Sequence, residues 1–200
     1  MRMRNPKDKD FLLETCDYYF NGSFSDSHGI SLEIGMGKGK FILDMALKYP
    51  NINYIGLEKY SSVASRAIKK INEYKPKNLK IMIGDIADNL ETLEKKIDTI
   101  YLNFSDPWPK DRHAKRRLTS IEHLKMYDNL FKGRKRIVQK TDNDDLFAYS
   151  LECFKEYGYE IVKISYDLHN DDIPNITTEY EEKFSKQGIK IKYVEVVKND

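Results

Sequence analysis

Long hydrophobic runs, clustered cysteines and a strong excess of one charge are all absent from this chain of 200 residues. No apolar stretch approaches membrane-spanning length, and the first residues lack the apolar centre of a signal peptide, which favours a cytoplasmic protein. Cys16 and Cys153 are far apart and form no Cys-x-x-Cys, so we expect two reduced thiols. Neither cysteine stands at metal-ligand spacing from a histidine, and no metal is expected.

The overall charge by itself gives no sign of a polyanionic partner. The formal net charge is +2, so a nucleic-acid surface would have to concentrate its positive charge on one face. Hydrophobic residues make up 40% and charged residues 33%, which is typical of a folded globular protein with an economical core. We expect one domain over residues 30–200, preceded by an arm and linker over residues 1–29.

Strand-like and helix-like patterns alternate along the chain. Apolar runs predict strands at 30–34, 53–57, 79–83, 97–104, 136–139, 161–166 and 189–197. Helical periodicity predicts helices at 40–49, from 61 or 62 to 75, and at 88–96, 120–131, 144–157 and 178–187. This alternation predicts an α/β fold with a doubly wound, mostly parallel seven-stranded sheet whose last strand is antiparallel. Ligands of such sheets bind at the carboxyl ends of the strands.

A glycine loop follows the first predicted strand, at Gly35, Gly37 and Gly39. Glycines at this place allow the backbone to approach a ligand closely. The loop matches neither nucleotide-phosphate motif: Lys40 stands where a dinucleotide site has its third glycine, and the Gly-Lys-Ser/Thr of a phosphate loop is missing. The sequence therefore disfavours phosphate binding here.

Acids stand at the ends of the first three predicted strands, namely Glu33, Glu58 and Asp85. Glu58 lies at the distance from the glycines at which an acid holds ribose hydroxyls in nucleotide-binding folds. A single strand-end acid is often just a helix cap, so the joint pattern carries the prediction. A ligand with a ribose, an adenine and an ammonium group but no phosphate fits it, and S-adenosylmethionine is such a ligand.

The segment 103–119 concentrates the remaining polar signals. Asp106 follows a predicted strand, and two prolines flank Trp108, the only tryptophan. A cationic run follows it, formed by Lys110, Arg112, His113, Lys115, Arg116 and Arg117. Together these residues predict a nucleic-acid surface beside a reaction centre, with the run facing outward; a proline-rich loop with a solvated charge run is the alternative.

Two further polar features have alternative interpretations. The basic turn 132–136 follows a predicted helix, where cations complement the helix dipole, and we favour this interpretation over RNA binding. Asp142 precedes a predicted helix, where it could cap the helix, bind a ligand or do both.

The motifs occur together in an order that resembles the bacterial tRNA (guanine-N7)-methyltransferase family. They are Leu-Glu-Ile-Gly-Met-Gly-Lys-Gly-Lys-Phe at 32–41, Gly-Leu-Glu at 56–58, Gly-Asp at 84–85, Asp-Pro-Trp-Pro-Lys at 106–110, Arg-His-x-Lys-Arg-Arg-Leu at 112–118, Thr-Asp at 141–142 and Thr-Glu-Tyr-Glu at 178–181. The match runs over about residues 30–197.

The resemblance implies a Rossmann-like methyltransferase fold, S-adenosylmethionine as methyl donor, and N7 of a guanine in the tRNA variable loop as acceptor. It implies tRNA as partner, no membrane, and a monomer or homodimer. The resemblance places Asp106 as the catalytic residue, and Glu33, Gly35, Gly37, Gly39, Glu58, Asp85 and Asp106 beside the donor. It places Lys110, Asp142, Thr178, Glu179, Tyr180 and Glu181 on the substrate side, and Arg112, His113, Lys115, Arg116 and Arg117 against RNA.

One position departs from the family pattern, since Ser105 stands where the family commonly has proline before Asp106. Two rival hypotheses remain open. A small-molecule or protein methyltransferase would share the glycine loop without needing the cationic run, and a non-catalytic RNA-binding protein would not bind the donor.

Overall fold

The computed structural model describes residues 6–199. Residues 1–5 of the predicted arm and Asp200 of the predicted domain lie outside the described residues. The strands are β1 (Ile30–Ile34), β2 (Asn53–Glu58), β3 (Leu79–Ile83), β4 (Thr99–Asn103), β5 (Lys135–Thr141), β6 (Glu160–Ser165) and β7 (Lys192–Lys198). The helices are α1 (Lys9–Glu14), α2 (Lys40–Lys48), α3 (Ser61–Tyr74), α4 (Leu90–Leu93), α5 (Ile121–Asp128), α6 (Asp144–Glu156) and α7 (Glu179–Ser185), with 3-10 helices at Ile86–Asn89 and Asp111–Arg116.

The seven strands form one mixed sheet in the order β3-β2-β1-β4-β5-β7-β6. Strands β1 to β5 pair in parallel, whereas β7 inserts between β5 and β6 and is antiparallel to both. The predicted doubly wound sheet with an antiparallel last strand is therefore confirmed. The strand order reverses between β1 and β4, which opens the crevice in which such sheets bind ligands.

The two faces of the sheet bury separate apolar layers. In β2, Ile55 and Leu57 pack with residues of α5 and α6, whereas Tyr54 on the opposite face packs with residues of α2 and α3. This alternation follows from the two-residue period of a strand, and it covers the central strands on both sides. Edge strand β6 is exposed along most of its length.

Three sequence-based expectations about element ends are wrong. The predicted helix 88–96 is a 3-10 turn followed by the single turn α4, and the helix predicted to reach residue 131 ends at Asp128. Both segments leave the helical path because they pair with each other: Lys96 N donates to Leu130 O, and Ile97 bridges Phe131. The last strand, predicted to begin at residue 189, begins at Lys192.

The described part of the N-terminal arm packs on the domain. Phe20 N donates to Ile81 O and Ile81 N donates to Tyr18 O, so the arm extends the sheet beside β3. Leu12 of α1 joins the apolar layer that α2 and α3 cover. Among residues 6–199, no helix is both long and apolar enough to cross a membrane.

Candidate functional site

A cavity of about 720 Å³ opens at the carboxyl ends of the central strands. Its walls come from the glycine loop, the ends of β2, β3 and β4, and the segment after β4. The residues that line it are Ile34, Gly35, Leu57, Glu58, Lys59, Tyr60, Gly84, Asp85, Ile86, Asn103, Phe104, Ser105, Asp106, Trp108, Lys115, Arg116, Leu118 and His123. A volume of this size is in the range of small-molecule sites, which hold about 300–1,000 Å³.

The turn that carries Asp106 is held in an unfavourable backbone conformation. Phe104 and Trp108, two residues on either side of Asp106, have φ values of 51° and 43°, a region that large side chains rarely adopt. The surroundings fix the turn, since Phe104 N donates to Lys140 O at 2.8 Å. Such strain is typical of functional sites, and here it presents an exposed carboxylate to the cavity.

Arg117 holds this turn from inside the protein, which corrects the expectation that the entire cationic run faces outward. Its side chain donates to the carbonyls of Pro107 at 3.0 Å and Trp108 at 3.1 Å. Its guanidinium lies 4.3 Å from the ring centroid of Tyr149, and the residue is only 8% exposed. Arg117 is therefore a support of the Asp106 turn and leaves the set of predicted RNA contacts.

The other residues of the run lie near the surface. Arg116 and His113 contact Trp108, with the guanidinium 5.0 Å from its ring centroid and the imidazole edge-on at 5.7 Å. Lys115 pairs with Glu122 on the surface at 3.2 Å. Four cations of the run are exposed at one side of the cavity, namely Lys110, Arg112, Lys115 and Arg116. These cations lie where a polyanion could reach the cavity mouth, so they remain predicted RNA contacts.

Glu58 joins the glycine loop to the end of β2. One carboxylate oxygen accepts from Gly37 N at 3.0 Å and the other from Tyr60 N at 2.9 Å. Burial raises the pKa of Glu58, while these backbone donors oppose the rise. Gly37 has a φ of 58° and Gly39 one of 75°, and a Cβ on Gly39 would stand 2.8 Å from Ala67 Cβ. These glycines shape the loop from behind, whereas Gly35 lines the cavity.

Asp85 is both a helix cap and a cavity residue. Its carboxylate accepts from Ala87 N at 3.1 Å and from Lys59 Nζ at 2.8 Å. The hydrogen bond from Lys59 lowers the pKa of Asp85, so the group stays ionised at neutral pH. A charged acceptor thus remains at the end of β3.

Glu33, which the resemblance places beside the donor, does not line the cavity but lies directly behind it. One carboxylate oxygen accepts from Asn103 Nδ2 at 2.9 Å, and the other is buried without a hydrogen-bond partner. Asn103 lines the cavity, and its amide connects Glu33 to the cavity wall. Burial raises the pKa of Glu33 to about 7, against the opposing effect of the Asn103 hydrogen bond.

This raised pKa predicts a stability change with pH. Because the folded pKa lies above the unfolded one, the contribution of neutral Glu33 is complete below pH 4.5 and is lost as pH rises through about 7. Glu33→Gln removes this titration. The melting temperature of the variant minus that of the wild type should therefore be larger at pH 8 than at pH 5, by at least about 3 °C. Calorimetric melts at both pH values measure this; a constant difference would contradict the assignment.

The substrate-side residues meet the Asp106 turn through aromatic packing. Tyr180 donates from its hydroxyl to Asp142 Oδ2 at 3.0 Å, and its ring centroid lies 4.9 Å from that of Phe104. The cap of α6 is Asn143, whose Oδ1 accepts from Leu146 N at 2.7 Å. The alternative that Asp142 caps this helix is therefore wrong, and its carboxylate stays available for a ligand.

The remaining residues of the 178–181 motif form the start of α7. Thr178 caps the helix in a reciprocal capping box with Glu181, and Glu179 forms ion pairs with Lys38 and Lys70. Glu181 is fully buried and pairs with Lys140 at 2.6 Å. The side chain does not reach the surface, so its predicted role on the substrate side would pass through its neighbours.

Several cavity residues were not among the sequence predictions. Asn103 could have been found as a polar residue at a predicted strand end, and Tyr60 by its position beside Glu58. His123 lies in the first turn of α5, where its ring bonds Ser120 Oγ at 3.0 Å, and no sequence signal marks it. Burial lowers the pKa of His123, which favours the neutral ring.

Two of the four cations of the basic turn 132–136 form ion pairs within the protein, whereas Lys132 and Arg134 are exposed. Lys135 pairs with Asp128 at 2.9 Å, and Arg136 pairs with Glu195 at 2.8 Å. These pairs lie at the amino ends of the parallel strands, away from the cavity. Across residues 6–199, no group of three or more His, Cys, Asp or Glu side chains could hold a metal ion.

Known proteins that are similar to this chain are methyltransferases. A family model described as a putative methyltransferase matches residues 27–194. The tRNA (guanine-N(7)-)-methyltransferase of Lachnoclostridium phytofermentans is 45% identical over 94% of each chain, and that of Bacillus subtilis is 43% identical over 98% of each. This chain belongs to the tRNA (guanine-N7)-methyltransferase family.

Solved structures of lower identity share the fold. An antibiotic-related methyltransferase superposes with a TM-score of 0.62 at 17% identity, covering 100% of this chain and 97% of its own. The precorrin-6y C5,15-methyltransferase of Geobacter metallireducens gives 0.61 at 12% identity, covering 100% and 92%. At these identities the likeness shows a Rossmann-like methyltransferase fold and nothing more.

Proposed function

We propose that this protein transfers a methyl group from S-adenosylmethionine to N7 of a guanine in tRNA, in the variable loop. The observation that carries the proposal is the exposed Asp106, which lies on a strained turn at the mouth of a cavity rimmed by cations, in a chain similar to tRNA (guanine-N(7)-)-methyltransferases. The cavity supplies a place for the donor, and the cationic rim a surface for RNA.

The residues of the cavity fit the donor. Glu58 has lone pairs left after its two backbone hydrogen bonds and can accept from ribose hydroxyls. Tyr60 is 64% exposed on the same wall and offers a ring face to adenine. Asp85 is a charged acceptor at the end of the next strand. The bound donor would supply an electrophilic methyl group on a sulfonium.

The chemistry asks for alignment more than for proton transfer. Guanine N7 carries an unprotonated lone pair, so attack on the methyl group needs no general base. The purine gains positive charge as the bond forms, and the carboxylate of Asp106 would stabilise that charge. A turn fixed by Arg117 and by the carbonyl of Lys140 would keep the carboxylate in place during the reaction.

Asp142 would orient the guanine. One of its oxygens is fixed by the hydroxyl of Tyr180, which holds the carboxylate in one orientation. The other can accept from the N1 and exocyclic N2 hydrogens of guanine, an edge that adenine does not present. Tyr180 and Phe104 form the aromatic contact between this acceptor and the Asp106 turn.

The decisive experiment is incubation with unmodified tRNA and labelled donor, followed by nucleoside analysis. Label in N7-methylguanosine is the expected result, and label in another nucleoside would overturn the choice of acceptor atom. A thermal shift on adding S-adenosylmethionine is expected as well. A non-catalytic RNA-binding protein would give neither signal, and a small-molecule methyltransferase would give the shift without labelled tRNA.

Each exposed cation of the run should contact its own phosphate of the tRNA. In the double variant Arg112→Ala with Lys115→Ala, the slope of log affinity for tRNA against log salt should flatten by about two units. Each phosphate contact releases roughly one counterion on binding, and the variant loses two such contacts. Filter binding without donor, over a range of salt concentrations, measures the slope.

A matched control removes the same charge elsewhere. Lys132→Ala with Arg134→Ala changes two exposed cations in the turn 132–136 and should leave the slope within error of wild type. Equal flattening in both double variants would mean that net charge, and no local surface, determines tRNA binding.

A further inference from the structure

Lys140 occupies a buried position from which it contacts both sides of the candidate site. It stands near the end of β5 with a side chain only 3% exposed. Its backbone carbonyl accepts from Phe104 N at 2.8 Å, at the start of the strained turn that carries Asp106. Its ammonium points to the segment before α7. One residue thus joins the catalytic turn to the element that bears Tyr180.

All three donors of the ammonium are used on that segment. Lys140 Nζ donates to Glu181 Oε2 at 2.6 Å, to Ile176 O at 2.8 Å and to Asn175 Oδ1 at 3.1 Å. It also lies 4.9 Å from the ring centroid of Phe41 in α2, an arrangement that adds a cation–π attraction. The loop 175–176 and the first turn of α7 are therefore tied to the sheet through a single charge.

The carboxylate of Glu181 is equally occupied. It accepts from the Thr178 backbone in the capping box, from the side chain of Asn175, and lies 3.1 Å from His169 Nε2. The residue before it, Tyr180, bonds Asp142 and packs on Phe104. Fixing Glu181 thus fixes the direction in which Tyr180 leaves the helix.

A buried ion pair is an inefficient way to gain stability, because desolvation offsets most of its Coulombic attraction. Apolar side chains of similar size often serve stability equally well. An ion pair gives each of its hydrogen bonds a defined direction, which apolar packing does not. The position of this pair, between the Asp106 turn and α7, is where such direction matters for the reaction.

We propose that Lys140 is a positioning residue for the methyl transfer: with Glu181 it sets the first turn of α7 and the Asp106 turn in register, so that Tyr180, Asp142 and Asp106 face one substrate. The inference rests on the proposed function. It assigns no contact of Lys140 with donor or tRNA, because the ammonium is enclosed by protein.

The test compares two double variants of the full chain. Lys140→Met with Glu181→Gln removes both charges of the pair while the glutamine keeps hydrogen-bonding capacity. Arg136→Met with Glu195→Gln makes the same change at an ion pair of β5 and β7 away from the cavity, with a distance of 2.8 Å. Both should fold, and both should bind S-adenosylmethionine and tRNA as wild type does.

Only the first variant should lose turnover. We expect its kcat to fall about tenfold or more at unchanged KM for tRNA, since small misplacements of reacting groups cost up to about 100-fold. Acrylamide quenching of Trp108 should also increase, because this tryptophan, the only one in the chain, lies on the Asp106 turn. Wild-type kcat together with wild-type quenching in the first variant, or equal losses in both variants, would overturn the proposal.

The outcomes separate this inference from the proposed function. If wild type makes no N7-methylguanosine, the proposed function fails, and increased Trp108 quenching in the first variant alone would still support the positioning role. If that variant does not fold, Asn175→Ala is the substitute, since it removes one hydrogen bond from each partner without unpairing a buried charge. Full kcat in Asn175→Ala would then overturn the proposal.

Discussion

Asp106→Asn should lower kcat for tRNA methylation by about 100- to 1,000-fold, the cost of removing one preorganised electrostatic contact from a reaction centre. The amide keeps the shape of the side chain but lacks the charge that would face the purine as it becomes positive. The carboxylate is exposed, so the melting temperature should not change. Single-turnover kinetics with saturating donor and tRNA measure the effect on the chemical step.

Asp111→Asn is the matched control for this prediction. Asp111 is an exposed acid five residues further on, in the first turn of the 3-10 helix Asp111–Arg116, and its substitution changes the net charge equally. It should leave kcat at the wild-type value. Near-normal turnover in Asp106→Asn would refute the catalytic assignment of Asp106, whatever the control shows.

Glu58→Ala should weaken S-adenosylmethionine binding by about 1 to 3 kcal/mol, or roughly 5- to 150-fold, if the carboxylate holds ribose hydroxyls by charge-assisted hydrogen bonds. Isothermal calorimetry measures the change in Kd. Because burial raises the pKa of Glu58, donor affinity of the wild type should also fall as pH decreases through that pKa, and the variant should lack this dependence.

Loss of structure could imitate this result, since Glu58 also binds the amides of Gly37 and Tyr60. Asp98→Ala is the control for this loss of structure. Asp98 Oδ2 accepts from Ile30 N at 2.7 Å, at the amino end of β1 and away from the cavity. That variant loses a comparable backbone contact and should keep the wild-type Kd. An unchanged Kd in Glu58→Ala would mean that Glu58 only shapes the glycine loop.

The sequence predicted which residues meet in one cavity where that depends on local order along the chain. Glycines after a strand, an acid at a strand end, and prolines around Trp108 are adjacent in the chain, and parallel strands bring their carboxyl ends to one edge of the sheet. Gly35, Glu58, Asp85 and Asp106 therefore meet in one cavity as expected.

The predictions for Arg117, Glu33 and Glu181 were incomplete for a common reason. Each side chain belongs to a polar type that is mostly exposed, yet each is buried and bonded to a partner outside its own helix, strand or turn. Burial of a charge becomes tolerable only when tertiary structure supplies those partners, and one sequence does not reveal them. The same dependence on distant contacts moved the ends of α4 and α5.

What the sequence by itself determined is the alternation of strands and helices, the glycine loop and the acids at strand ends, because these follow from hydrophobic periodicity and local backbone preference. The tertiary structure alone decided which polar residues face the cavity and which support it. The Arg117 side chain and the Lys140 carbonyl hold the Asp106 turn, and the ammonium of Lys140 pairs with Glu181. These contacts form only when β5, α7 and the turn pack together, because a buried charge needs partners that tertiary structure supplies.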